Sequence, residues 1–209
     1  MQTYHKINTL WKRDQKGKVI VGDYSIPEFE LLQDVPWTWT EKIDGTNIRI
    51  GLTEDDHFDI RGRTENAQIP TFLLRAITSE CLSVEALRRV FPEGQDFCLH
   101  GEGYGQRIQK VGQLYLPESN GFVLFDVRVG RWWLERAAVE EIAAQLNLPC
   151  APIVFTGTIP EAVDLVKTGL RSTFGDLEAE GLVGKPKVDL FRRTGERIVT
   201  KIKAVDLRG

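Results

Sequence analysis

The 209-residue sequence predicts an α+β domain of mainly antiparallel sheets flanked by helices. Three features lead there. Short apolar runs are joined by tight turn signals, two stretches carry helical spacing, and strands and helices mix without the regular alternation that builds a parallel sheet. Val35 to Leu52 reads as strand, rich in Trp, Thr and Ile, with alternation through Asn47, Ile48, Arg49 and Ile50. Thr53 to Asp56 is a hairpin turn and His57 to Arg63 the returning strand. Pro70 opens a helical stretch that breaks near Ser83 and ends about Val90. Phe97 to His100 is a short strand leading into Gly101-Glu102-Gly103-Tyr104-Gly105, and Gly121 to Val129 a strongly apolar one turned back by Gly130 into Trp132 and Trp133.

Glu135 to Leu146 is the clearest helix, with Ala138, Val139, Ile142, Ala143 and Leu146 on one face. Ile153 to Phe155 is a strand and Ile159 to Leu170 a second helix. Leu182 to Leu190 and Arg197 to Ile202 form a terminal hairpin around Thr194-Gly195. No linker or repeat interrupts the chain. Residues 1–209 are therefore read as a single domain, with residues 1–33 as an N-terminal accessory segment.

Composition removes several function classes. No run approaches the ~18–20 apolar residues that cross a bilayer, and Met1 to Leu10 lacks the apolar core of a signal peptide. The expectation is a protein of the cytoplasm, or of the host cytoplasm if viral, with no membrane partner. Cys81, Cys98 and Cys150 are scattered, as are His5, His57 and His100, so neither a disulfide framework nor a zinc site is indicated. Net charge is −3, but from Gly181 onward eight basic residues face three acidic ones, leaving this tail at +5 and the remainder at −8. Local positive charge of that kind suits phosphate or nucleic acid.

The chemistry centres on Glu41-Lys42-Ile43-Asp44-Gly45-Thr46-Asn47. A lysine at the end of an apolar strand is an amine held on a rigid element, and the following glycine lets backbone approach a phosphate. To act as a nucleophile such a lysine must be partly neutral, which nearby cations or burial can bring about. Alone, Lys-x-Asp-Gly is short enough to arise by chance. Further elements follow in order: Arg61-Gly62-Arg63-Thr64, His100-Gly101-Glu102-Gly103-Tyr104-Gly105, Phe122-Val123-Leu124-Phe125-Asp126-Val127, Glu180-Gly181-Leu182-Val183-Gly184-Lys185 and Lys201-Ile202-Lys203. The glycines after His100 have no Lys-Ser/Thr at the spacing of a Walker phosphate loop.

This ordered set, across residues 41–203, resembles the covalent nucleotidyltransferases, which comprise RNA ligases, DNA ligases and capping enzymes. The match is closest to the phage RNA ligase 2-like branch. The resemblance implies a nucleotidyltransferase (ATP-grasp-like ligase) fold without a C-terminal OB-fold, and an ATP-dependent RNA ligase. Lys42 would attack the α-phosphate to form lysyl-AMP; AMP would pass to the 5′-phosphate of one RNA end, and the 3′-hydroxyl of another would seal the strand. It assigns Lys42, Lys201 and Lys203 to catalysis. It assigns Glu41, Ile43, Asn47, Arg63, Glu102 and Phe125 to the nucleotide, together with Lys42, Glu180, Lys201 and Lys203. Within that set Glu41 takes the adenine edge, Arg63 the sugar and phosphate, Glu102 a ribose hydroxyl and Phe125 the adenine face. Glu180 would hold Mg2+ or Mn2+. Gly184 stands where close relatives carry a lysine, so Lys185 transfers only weakly. Larger relatives carry a further C-terminal domain, so residues 1–33, with Tyr4, Trp11 and Tyr24 for stacking and Lys6, Lys12, Arg13, Lys16 and Lys18 for phosphates, are expected to substitute in part. The rival readings are DNA ligation or capping on the same chemistry, and a non-catalytic module that binds nucleotides or RNA ends.

Overall fold

The structure, a computed structural model that describes residues 1 and 3–208, divides into a central unit, Asp44–Ala151 with Met1–Tyr4, and a terminal unit, His5–Ile43 with Pro152–Gly209. In chain order the terminal unit begins with β1 (Asn8–Thr9), β2 (Trp11–Arg13), β3 (Val19–Tyr24), α1 (Pro27–Leu31) and β4 (Trp37–Glu41). The central unit contributes β5 (Thr46–Leu52), β6 (Phe58–Gly62), α2 (Thr71–Ala76), a π-helical turn at Ile77–Cys81, α3 (Val84–Val90) and β7 (Phe97–Gly105). It continues with α4 (Gly112–Tyr115), β8 (Asn120–Val129), β9 (Trp132–Trp133) and α5 (Arg136–Gln145). The terminal unit is completed by β10 (Ile153–Gly157), α6 (Ile159–Gly169), β11 (Gly181–Pro186), β12 (Thr200–Lys203) and α7 (Ala204–Leu207). Among the described residues no helix is long and apolar enough to cross a membrane.

The expected α+β architecture is present: two five-stranded sheets, antiparallel except for the β1–β12 pair, with helices beside them. The run Val35 to Leu52 is not one strand. It is cut at Lys42–Gly45, and β4 and β5 belong to different sheets. Local propensity is strong on both sides of the cut, so alternation alone could not locate it. The glycine-rich segment after His100 is likewise strand rather than loop, because β7 runs unbroken through Gly105. Its glycines are sites of close approach: a Cβ at Gly101 would lie 2.4 Å from the Val123 carbonyl oxygen, and one at Gly103 would lie 2.7 Å from Leu73.

In the central sheet, ordered β6-β5-β7-β8-β9, alternation, shifted once by a bulge in β8, sorts the side chains. Ile48, Ile50, Leu99, Phe122, Leu124 and Val127 enter one core with α5 and the α2–α3 region. In the terminal sheet, ordered β1-β12-β11-β4-β10, the core side carries Trp37, Trp39, Leu182 and Ile202 against α6. Trp37 and Trp39 are fully buried and stacked at 5.7 Å. Large aromatic surfaces of this kind supply much of a core's stabilisation, and the stacked pair adds about 0.5–1.5 kcal/mol beyond burial. Helix α6 is fixed at its start by a capping box: Thr158 Oγ1 accepts from the Glu161 amide at 3.4 Å, and Glu161 Oε2 accepts from the Thr158 amide at 2.7 Å.

The N-terminal residues are divided between the two units. β2 and β3 form a two-stranded ribbon, and β1 extends the terminal sheet. Trp11 belongs to the terminal core and Tyr24 packs against it. Tyr4 is buried in the central unit. Tyr4 and Trp11 are thus packed away from solvent, whereas Tyr24 is half-buried.

Candidate active site

Sheet parity explains how each unit gathers its polar residues. In the terminal unit, β11 pairs with β12 as Gly181↔Lys203 and Val183↔Lys201, and with β4 as Val183↔Thr40 and Lys185↔Thr38. With Leu182 and Ile202 turned to the core, the opposite face carries Lys185, Lys201 and Lys203. Lys42 follows Glu41 at the end of β4, and its backbone N–H donates to Gly181 O at 2.9 Å. Its Nζ meets Glu180 Oε2 at 2.5 Å, while Lys203 Nζ meets Glu180 Oε1 at 2.7 Å. One carboxylate thus bridges two ammonium groups. The Lys42 and Glu180 side chains retain only 20% and 15% of their exposure. Gly181 (φ 152°) makes this close approach feasible, because a Cβ there would sit 2.0 Å from Ile202 O. Gly184 is covered by Trp39, whose ring would lie 2.3 Å from an added Cβ, so a lysine at that position would have to displace the tryptophan.

Glu41 has the opposite orientation. It shares the parity of Trp37 and Trp39, and only 2% of it is exposed. Its Oε1 accepts from Ser172 Oγ at 2.6 Å, and its Oε2 accepts from the Thr173 amide at 2.8 Å and from Thr173 Oγ1 at 2.6 Å. Ile43 is buried beyond it. Nothing in the sequence pattern marked Ser172 or Thr173, which lie in the loop between α6 and β11; a buried acid in an apolar strand is the signal that donors must exist somewhere.

In the central unit, the rows across the sheet are Arg61–Arg49–His100–Asp126 and, one step along, Asn47–Glu102–Val123. Arg63, just beyond β6, continues the parity of Arg61. A bulge interrupts β8: His100 pairs with Asp126 and Gly101 with Leu124, leaving Phe125 as the extra residue. The insertion lets Phe125 and Asp126 both turn to the polar side. Phe125 is half-buried there, edge-on to Tyr4 at 5.2 Å, and Tyr4 Oη donates to Asp126 Oδ2 at 2.5 Å. Tyr4 also packs against His100 and Trp133. Among the described residues the side-chain oxygen of Asn47 is buried without a hydrogen-bond partner, a state that costs about 1–3 kcal/mol when nothing satisfies it.

Two arginines grip the segment that carries Arg63. Arg49 is wholly buried; its Nε donates to Gly62 O at 2.8 Å and its Nη2 meets Glu65 at 3.0 Å. Arg61 meets the same carboxylate from the exposed side, and both arginines hold the Glu65 carboxyl below the usual carboxylate range. Asp44 and Gly45 of the lysine motif are structural anchors here. Asp44 Oδ2 accepts from the Val111 amide at 3.0 Å, and a Cβ at Gly45 would lie 2.4 Å from Gly103 O and 2.7 Å from Glu102 Cγ. What Gly45 approaches is the neighbouring strand, and that contact fixes Glu102. Arg49, Ser172 and Thr173, to which the sequence pattern assigned no role, brace the segment after β6 and Glu41, while Tyr4 and Asp44 serve packing and anchoring instead of the roles expected of them.

Comparison with known proteins settles the lineage. The family model for RNA ligase matches residues 35–203. The chain belongs to the RNA ligase family. No curated protein sequence gives a significant match. Among solved structures, an archaeal ATP-dependent RNA ligase superposes with a TM-score of 0.68 at 19% identity, covering 99% of this chain and 49% of that one. A Naegleria gruberi RNA ligase variant with ATP and Mn gives 0.65 at 21% identity over 94% of this chain and 55% of that one. Another, with AMP and Mn, gives 0.64 at 22% identity over 85% and 52%. These likenesses establish the ligase fold. The chain spans about half the length of the solved structures it resembles.

Proposed function

We propose that the protein is an ATP-dependent RNA ligase that uses Lys42 as a covalent nucleophile and joins a 5′-phosphate RNA end to a 3′-hydroxyl end. The observation that carries this reading is the Lys42–Glu180–Lys203 bridge on the lysine-rich face of the terminal sheet. It puts an amine at a strand end beside one further cation and one carboxylate, in a chain of the RNA ligase family whose structural relatives include a ligase variant solved with ATP and Mn.

The Lys42 Nζ lone pair attacks the α-phosphorus. The P–N bond forms, the bond from the α-phosphorus to the bridging oxygen breaks, and pyrophosphate departs with that electron pair while Nζ gives up a proton. An ammonium has no lone pair to offer, so Lys42 must first pass a proton to Glu180, 2.5 Å away, or to water, and the proton released as the P–N bond forms goes to water. Lys201 and Lys203 stabilise charge on the phosphoryl oxygens. In the central unit, Phe125 offers its face to the base, Glu102 and the buried amide oxygen of Asn47 accept from ribose hydroxyls, and Arg63 contacts sugar and phosphate. AMP then passes to the 5′-phosphate end, and attack by the 3′-hydroxyl releases it.

Among the described residues no group of three or more His, Cys, Asp or Glu side chains forms a metal cage. A divalent ion needs no such cage, and Glu180 is the carboxylate that would hold it. Such an ion supplies charge neutralisation at the phosphates. Incubation with α-labelled ATP and Mg2+ or Mn2+ tests the reading: label that survives denaturation and disappears in Lys42→Ala supports it. Label from GTP alone points to capping, and the absence of covalent label with either metal points to a binding module.

A further inference from the structure

We infer that Glu41 is a positioning residue for Lys42, clamped by Ser172 and Thr173, and that its carboxylate does not read the adenine edge. This rests on Lys42 being the nucleophile. A carboxylate offers about four lone-pair sites, and three are taken at 2.6–2.8 Å by donors from a single loop. The side chain is 2% exposed and lies on the core face of β4, opposite the face that carries the lysines. A base edge needs an accessible partner, and this one is enclosed.

The loop itself is well fixed. Gly169 (φ 100°) closes α6, Arg171 and Glu178 form a bridge across the loop, and the Ala179 amide donates to Leu170 O at 2.9 Å. The Ser172 amide donates to Leu177 O at 2.9 Å, and Ser172 Oγ accepts from the Phe174 amide at 3.0 Å. Both hydroxyls are thus carried on a braced segment. Their grip on Glu41 fixes the last residue of β4, and the next residue is Lys42, whose amide is bonded to Gly181. The clamp sets where the Lys42 backbone lies, and with it the reach of Nζ. Reacting atoms that must meet within about 3–3.5 Å lose rate steeply when the nucleophile drifts by an ångström.

The test uses the full chain carrying Ser172→Ala with Thr173→Val, Thr173→Ser as the conservative control, and Glu41→Gln. Lysyl-nucleotide formation is timed with ATP and with inosine triphosphate, which replaces the 6-amino group by an oxo group. The clamp predicts that the double variant and Glu41→Gln lose about 10–100-fold in maximal rate, with KM for ATP and the ATP-to-inosine preference close to wild type. Thr173→Ser keeps a rate near wild type. Hydrogen exchange at the Lys42 amide accelerates in the slowed variants. A collapse of the ATP-to-inosine preference overturns the inference in favour of a base contact, as does an unchanged rate with unchanged exchange. Should the double variant fail to fold, Ser172→Ala alone removes one of the three donors and carries the same expectations in smaller measure. If the wild-type protein forms no lysyl nucleotide, the ligase reading fails, and amide exchange at Lys42 decides the clamp by itself.

Discussion

Glu180→Gln removes the charge that holds two ammonium groups together while keeping the shape of the side chain. Wild-type Glu180 makes charge-assisted contacts of 2.5 Å to Lys42 and 2.7 Å to Lys203. A hydrogen bond to a charged partner is worth about 1.5–3 kcal/mol when enclosed. Here Lys42 keeps 20% and Lys203 32% of its side-chain exposure, so water can replace part of what is lost. Discounting for that access, the expected cost is about 1–3 kcal/mol for the pair together. For a chain of this size that lowers the melting temperature by roughly 2–4 °C per kcal/mol. The amide also cannot hold a divalent ion as a carboxylate does, so covalent labelling with ATP should fall by at least about 100-fold. Thermal melts of Glu180→Gln, Lys203→Ala and the double variant, at low and high salt, check the stability part. The single effects should overlap by about 0.5 kcal/mol or more, and salt should shrink them. Additive effects, or a Glu180→Gln protein as stable as wild type with full labelling, would refute the bridge as the organising contact of the site.

Other consequences follow from the same geometry. Gly45→Ala places a Cβ 2.4 Å from Gly103 O and 2.7 Å from Glu102 Cγ, so strand β7 must shift; a loss of about 1–3 kcal/mol in chemical denaturation is expected, with a raised KM for ATP. Burial pushes the Cys98 thiol up to about 12, so it should resist alkylation at pH 8 until the protein unfolds, while the less buried Cys81 and Cys150 react first; peptide mapping of the modified thiols reads this out. The Thr158 amide and hydroxyl hold the Glu161 carboxyl below its ordinary value. A lowered value in the folded state means that the cap's contribution is complete above the ordinary carboxylate pKa and fades as pH falls through the lowered one. Wild type and Glu161→Gln should therefore differ in stability at pH 7 and converge in acid; a gap that persists at low pH would contradict this.

The sequence was most legible where periodicity and chemistry agreed. The 3.6-residue spacing of Glu135 to Leu146 located α5 to within a residue at each end, and Ile159 to Leu170 did the same for α6. The break at Ser83 is real, and Ser83 caps α3. Propensity gave less help wherever pairing partners are distant. The cut between β4 and β5 was hidden because both halves favour strand. The unbroken course of β7 was hidden because its glycines answer to Phe122, Leu73 and Ser119 rather than to a turn. For the site, Lys201 and Lys203 lie on one face of β12, and Glu180 bridges Lys203 and Lys42, the latter a contact between residues 138 positions apart that periodicity cannot show. The bulge that turns Phe125 and the loop that clamps Glu41 depend on contacts up to 132 residues apart, which no local pattern encodes.

Peptide mass mapping after incubation with ATP and Mg2+ or Mn2+ addresses the central claim most directly. The account predicts that the peptide containing Lys42 gains the mass of one AMP moiety, bound through an acid-labile phosphoramidate, and that no other lysine does. An unmodified Lys42, or AMP found on Lys201 or Lys203 instead, would contradict it.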